Sequence, residues 1–313
     1  MMDYEAFKEY IRKRVFEAYE GKASVEIRRC VKNNGLALDG ITIFEKELNV
    51  SPTIYLEEYY NAYRNGEDPD KLAGRVLAAY RRNRLDHSLS ADFFSDFERV
   101  KPCIRRRLVS RRRNEEFLKN LPFEPYLDLA VIWYIDLLED IIPNATVLVH
   151  RTEMERWGVN KEILSETAAR NMAEYEPAML RPMQEVLKEL KAELREISRK
   201  AMLPYDLEEE TLDAACPMYV LTTRGKTFGS AAILDTEVIR KLSEEYGEDI
   251  YILPSSIHEA ILVPANEQLD RYAMYEMIRE INLKEVAPSE VLSSSLYRYD
   301  RAIGEIVIDM IEQ

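Results

Sequence analysis

A change of hydrophobic period within the first forty residues constrains the fold more than any other feature. Tyr4, Phe7, Ile11, Val15 and Ala18 recur at three- and four-residue steps, an apolar stripe on a charged helix that Gly21 is expected to end. From Ala23 the period is two, with Val25, Ile27 and Val31 on one face. Asn34-Gly35 then signals a hairpin, because a type I′ turn needs positive φ at both central positions. The return strand carries Leu36 and Leu38, then Ile41 and Ile43. That switch of parity across Asp39-Gly40 predicts a β-bulge. A short strand near Thr53 to Leu56 and helices over Glu57–Arg64 and Pro69–Asn83 complete a helix–hairpin–strand–helix block.

Further on, Phe93, Phe94 and Phe97 are expected inside, and Ile104, Leu108 and Val109 sit among arginines. Pro122 and Pro125 punctuate the chain and suggest two domains or subdomains, 1–121 and 122–313. Leu127, Leu129, Val131, Trp133 and Ile135 alternate as a buried strand does. Leu127, Ala130, Val131 and Tyr134 also fit a helix, but the β-branched and aromatic content favours the strand. A strand at Thr146 to Val149 follows, then a helix capped by Asn160. A long charged helix over Pro182 to Lys200 places Met183, Val186, Leu187, Leu190, Leu194 and Ile197 on one side.

The last hundred residues predict strands at Met218 to Thr222 and Phe228 to Leu234 around a turn at Arg224-Gly225. A helix capped by Asp235 and ended by Gly247 comes next, then strands at Ile250 to Leu253 and Glu259 to Val263. A helix from Glu267 to Ile281, with Leu269, Ala273, Met277 and Ile281 inward, and a strand at Leu296 to Tyr299 close the chain. The sum is an α+β fold, mostly antiparallel sheets with helices packed on one face.

Several stretches carry a family resemblance: "VKNNGLALDGITI" (Val31 to Ile43), "SPTIYL" (Ser51 to Leu56), "LDLAVIWYI" (Leu127 to Ile135) and "ERWGVNKEIL" (Glu155 to Leu164). To these add "DIYILPSSIHEAILVPANE" (Asp249 to Glu267) and "VAPSEVL" (Val286 to Leu292). Together, in this order, they resemble an uncharacterised bacterial family catalogued only as a domain of unknown function. The resemblance spans nearly the whole chain and implies kinship, with no activity, cofactor or partner to carry across.

Composition removes several classes. The longest apolar stretch, Leu127 to Leu138, is interrupted by Asp128 and Asp136, short of the roughly 20 apolar residues a membrane span needs. The N-terminus lacks the apolar block of a signal peptide. Cys30, Cys103 and Cys216 are odd in number and far apart, the pattern of reduced thiols in a cytoplasmic protein and not of a disulfide framework or zinc site. Ten glycines form no GxG, and HExxH, GxSxG and SxxK are all absent, so no cofactor and no metal is expected. Gly225-Lys226-Thr227 lacks the upstream glycine of a phosphate loop and reads as a hairpin tip.

Charge is the unusual property. The chain is −14 overall, yet Arg75 to Arg113 is +8, which leaves −22 elsewhere. Arg99 to Arg113 holds eight cations and no acid. Arg105, Arg106, Arg107, Arg111, Arg112 and Arg113 are therefore candidate binding residues, gripping carboxylate or phosphate with guanidinium forks, set against a solvated face neutralised by the rest of the chain. Phe93, Phe94 and Phe97 do not interleave with them, so stacking platforms for bases are not indicated and nucleic acid is disfavoured.

Ser255-Ser256-Ile257-His258-Glu259 holds the residue types of a nucleophile, base and acid. On an extended strand His258 and Glu259 point to opposite faces, so a Pro-Ser-Ser turn whose hydroxyls satisfy local backbone is the simpler account. His150 and Arg151, after a strand end and near Glu153 and Glu155, form a second weak binding candidate against a solvated helix start. Cys216 reads as a buried apolar residue. The expectation is a non-catalytic, cytoplasmic protein-interaction module, adaptor or chaperone-like, with an acidic protein partner and no membrane role. Nineteen tyrosines suit such contacts. The alternatives are a hydrolase or transferase of unfamiliar type centred on His258, and nucleic-acid binding through Arg99 to Arg113.

Overall fold

The computed structural model describes residues 1–48, 51–84, 91–137, 145–201, 217–266 and 269–312. Cys216, His87 and Glu267 lie outside them. The fold is α+β, and every strand pairing is antiparallel.

The N-terminal block follows its periodicity. The helix Tyr4–Ala18 starts where the Asp3 carboxylate accepts from the Ala6 N–H at 2.8 Å, and it buries Phe7, Ile11 and Val15. Strands β1 (Ala23–Val31), β2 (Ala37–Glu45) and β3 (Thr53–Tyr55) form a three-stranded sheet in that order. Asn34 and Gly35 both take positive φ, 60° and 70°, inside a loop closed by the Lys32 N–H donating to the Leu36 carbonyl. The expected bulge is absent: the β1–β2 register runs unbroken from Ala23 opposite Glu45 to Val31 opposite Ala37. Gly40 is there for space, since a Cβ would stand 2.2 Å from Thr53 Cγ2 on β3. Leu36 is exposed, which accounts for the change of parity without an extra residue.

β4 (Ile104–Ser110), β5 (Phe123–Tyr126), β6 (Leu129–Asp136) and β7 (Thr146–Leu148) make a second sheet. β6 lies inside it, paired with β4 on one edge and with β5 and β7 on the other. This confirms the strand expected at Leu127 to Ile135 and explains its mixed pattern, because both faces are buried. Ile104, Trp133 and Ile135 pack with Leu164 and Ala168 of the helix Lys161–Tyr175, and Val109, Ala130 and Ile132 pack with Leu118 and Leu121. The β4–β6 ladder joins strands on either side of the boundary expected between residues 121 and 122.

The third sheet has six strands: β8 (Ala178–Pro182), β9 (Tyr219–Thr223), β10 (Ile250–Leu253), β11 (Ala260–Pro264), β12 (Leu296–Asp300) and β13 (Glu305–Met310). Their order is β13-β12-β10-β11-β9-β8. β8 and β13, the two edges, had no clear sequence signal. Three further expectations are corrected. Residues Gly229–Leu234 form a 3-10 turn, not a strand, because Gly229 is wedged against β9: a Cβ would lie 2.0 Å from Thr222 Oγ1 and 2.4 Å from the His258 carbonyl oxygen. The last helix, Arg271–Lys284, buries Met274 and Ile278, and Ala273 and Met277 face outward, one position off the expected stripe. On the helix Met183–Ala201, Leu190 and Leu194 are exposed instead of covered.

The hairpin tip ties the sheets together. Asn33 Nδ2 donates to the Ser289 carbonyl at 2.8 Å, and Asn34 Nδ2 donates to those of Pro288 and Val291 at 2.9 and 2.7 Å. Asn114 Nδ2 donates to Asn34 Oδ1 at 3.0 Å, and the Ile257 N–H donates to the Glu290 carbonyl at 2.9 Å. Three of the stretches that carry the family resemblance, Val31 to Ile43, Asp249 to Glu267 and Val286 to Leu292, thus meet at one junction, where buried backbone groups must be paired.

Candidate functional site

The arginine run divides at the end of β4. Arg111, Arg112 and Arg113 fall on the turn beyond it and are exposed, and Arg113 pairs with Glu312 at 2.6 Å. Arg105, Arg106 and Arg107 lie within the strand. The expectation of one solvated face is corrected here, since Arg105 is only 1% exposed and Arg106 and Arg107 are partly buried. β4 lies between β6, the helix Lys161–Tyr175 and the turn Gly229–Leu234, so its side chains lose water on both faces.

Each of the three meets a different environment. Arg105 Nη1 donates to the carbonyls of Pro102 and Ile104 at 2.7 and 3.1 Å, and its guanidinium lies 5.0 Å from the Tyr175 ring centre. Burial lowers the Arg106 pKa, and the charges of Asp235 and Glu124 partly offset this. Among the described residues no carboxylate helps Arg107. Burial pushes its guanidinium down to about 10, with only Tyr134 acting the other way. Among the described residues it makes no hydrogen bond or ion pair, and its Nε is sealed from solvent without a partner. Even so lowered, it is charged at neutral pH. Its guanidinium carbon lies 4.4 Å from the Phe228 ring centre, a cation–π geometry.

Phe228 links this arginine to the other sequence candidate. Its ring stacks on His258 at 5.9 Å with an interplanar angle of 11°, and Tyr134 meets it edge-on at 5.4 Å. Phe228 takes a left-handed φ of 53° immediately before the 3-10 turn that packs on β9. Arg107 on β4, Phe228 before the 3-10 turn and His258 before β11 therefore form one patch. The side chain of His258 keeps 31% of its surface open.

The imidazole is engaged on both sides. The Phe228 N–H donates to His258 Nδ1 at 3.3 Å, which puts the proton of the neutral ring on Nε2. Nε2 stands 3.7 Å from Glu290 Oε1. The carboxylate facing His258 is thus Glu290, 32 positions away in sequence, not Glu259. Ser256 Oγ accepts from the His258 backbone N–H at 3.0 Å, and the buried Ser255 accepts from the Leu292 N–H through its carbonyl. No described hydroxyl bonds to either ring nitrogen. Burial raises the Glu259 pKa.

The remaining candidates lie elsewhere. His150 and Arg151 are exposed at the start of the helix Arg151–Trp157, where the His150 N–H donates to Glu153 Oε2 at 3.1 Å and Arg151 Nε to the Lys119 carbonyl at 3.3 Å. Two cavities of about 910 and 330 Å³ open beside Arg113 and beside Arg111 and Arg112. Several of their charges are already paired: Arg279 with Glu276 at 2.9 Å, Arg113 with Glu312 at 2.6 Å, and Asp128 with the hydroxyls of Ser293 and Ser295, each at 2.8 Å, and of Tyr297. Among the described residues no group of His, Cys, Asp or Glu could hold a metal ion, and no helix is long and apolar enough to cross a membrane.

Residues 4–301 match the family model of a family of unknown function, DUF5688. The chain belongs to that family. No curated protein and no solved structure matches it. Membership explains why the resemblance runs through the whole chain, and it leaves the chemistry to be read from the site.

Proposed function

We propose that this member of the family is a non-catalytic binding module that receives an oxyanionic group of its ligand, a carboxylate or a phosphate, on Arg107. One observation carries the reading: a guanidinium partly buried beside Phe228, with no anion in contact among the described residues. Leaving a desolvated charge unpaired is strongly unfavourable, and a forked oxyanion is the group that satisfies it best. The acidic partner expected from the sequence is narrowed to the one group that this arginine can take. His258 supports binding over catalysis, because its Nδ1 is occupied by a backbone N–H and its Nε2 faces a carboxylate. The expected setting is a reducing bacterial cytoplasm, in keeping with free thiols at Cys30 and Cys103.

Isothermal titration with free glutamate, an acidic peptide and inorganic phosphate tests this and separates the sources of the anion. At least one should bind, more weakly as salt rises, and Arg107→Gln should abolish the heat while Arg111→Gln leaves it unchanged. Binding indifferent to Arg107, or no binding across the three probes, would sink the proposal.

A further inference from the structure

Among the described residues the outer edge of β1 has no partner strand, and its hydrogen-bonding phase is fixed. The Lys32 N–H donates to the Leu36 carbonyl at 2.7 Å, so Ser24, Glu26, Arg28 and Cys30 turn their backbone groups toward β2. Ala23, Val25, Ile27, Arg29 and Val31 turn theirs outward. The far side of β2 agrees: the Leu56 N–H donates to the Asp39 carbonyl at 3.0 Å, which assigns the odd-numbered groups of β2 to β3. Among the described residues nothing hydrogen-bonds to the outward groups of β1. Val31, on this edge, is 51% exposed. A nine-residue open edge is a template for another strand.

We propose that the strand it receives is β1 of a second copy of this chain, antiparallel, about a twofold axis through Ile27. The order of charges selects this occupant and this register. Pairing about Ile27 matches all nine residues with nine, and it sets Glu26 opposite Arg28 of the second copy and Arg28 opposite its Glu26. These fall at the non-hydrogen-bonded positions, where side chains approach closest. Moving the axis by one residue would place Glu26 on Glu26 or Arg28 on Arg28, like charges that repel. The sequence Glu26-Ile27-Arg28 is thus self-complementary under a twofold, as an isologous contact requires. Both side chains are available, 44% and 68% exposed, and they already reach each other along the strand, Arg28 Nε donating to Glu26 Oε2 at 2.8 Å. The result is a continuous six-stranded sheet, β3-β2-β1 followed by its symmetry mate, joined by roughly ten main-chain hydrogen bonds.

Sedimentation equilibrium of the full chain tests the assembly. The wild type should be in monomer–dimer equilibrium. Glu26→Arg and Arg28→Glu should each weaken the dimer at least tenfold, because each variant faces itself with like charges. An equimolar mixture of the two should associate again, since each then meets the opposite charge at both positions, a rescue that a general loss of folding cannot give. A wild type monomeric up to millimolar concentration would overturn the inference. So would a dimer indifferent to both variants, or a mixture that stays monomeric.

Discussion

Arg105–Arg107 and Arg111–Arg113 are two triplets of one residue type, separated by three positions, and the fold treats them in opposite ways. The first triplet sits in a strand covered on both faces, so its guanidinium groups lose water and depend on whatever acceptors the neighbouring elements supply. Arg105 finds two backbone carbonyls, Arg106 the field of two carboxylates, and Arg107 the ring of Phe228 with no described anion beside it. The second triplet begins where β4 has ended, and its side chains extend into solvent, with Glu312 in reach of Arg113. Charge counted along a sequence therefore says little about charge that a partner can touch. Solvation, set by the surrounding elements, decides which arginines are satisfied and which remain receptive.

Substitutions at the two triplets should differ in size and in sign. Arg105→Ala removes two buried hydrogen bonds and opens a void against Tyr175, and it should cost about 3 kcal/mol in urea unfolding. An effect below 1 kcal/mol would mean that Arg105 is not held as described. Arg107→Leu should act the other way, raising stability by about 2 kcal/mol because an unpaired cation gives way to an apolar side chain of similar reach. The same variant should lose ligand binding, so stability and affinity would move in opposite directions.

A smaller effect is expected at Asp136, on β6 beside Arg105. Burial raises its pKa, and Arg105 acts against that shift. The folded state then holds the proton more tightly than the unfolded chain does. Asp136 should therefore cost stability progressively as pH rises from the ordinary aspartate range to its raised folded value. Asp136→Asn should flatten the stability profile over that interval, and an unchanged slope would contradict the assignment. The smallest change belongs to the second triplet: Arg113→Gln breaks an ion pair open to solvent and should shift stability by less than about 1 kcal/mol.

Much of the fold was legible because its signals are local. Asn160 caps Lys161–Tyr175, Gly247 ends Thr236–Tyr246, and Asn34-Gly35 turns the first hairpin. Each can be read from a few consecutive residues. The misreadings have a different origin. Residues 228–234 alternate well enough for a strand, but the space at Gly229 is taken by Thr222 and His258. Gly40 mimics a bulge because a third strand passes close to it. Of the candidate site, the residue types at Arg107 and His258 were visible, and their meeting was not. Phe228, which joins them, carried no signal beyond being aromatic next to a glycine, and Glu290 lies in a different motif from the histidine it faces.

By itself the sequence determined the helical or extended character of most elements, how the first hairpin turns, and that positive charge is gathered in one short run. Those properties follow from side-chain period, capping and backbone sterics, which act over a turn of helix or a pair of strand residues. Only the tertiary structure decided, among the described residues, which arginine is left without an anion, which carboxylate faces His258, and which strand edge stays open. Each depends on desolvation and contact by elements far apart in the chain, and no local pattern encodes how those elements close around one another.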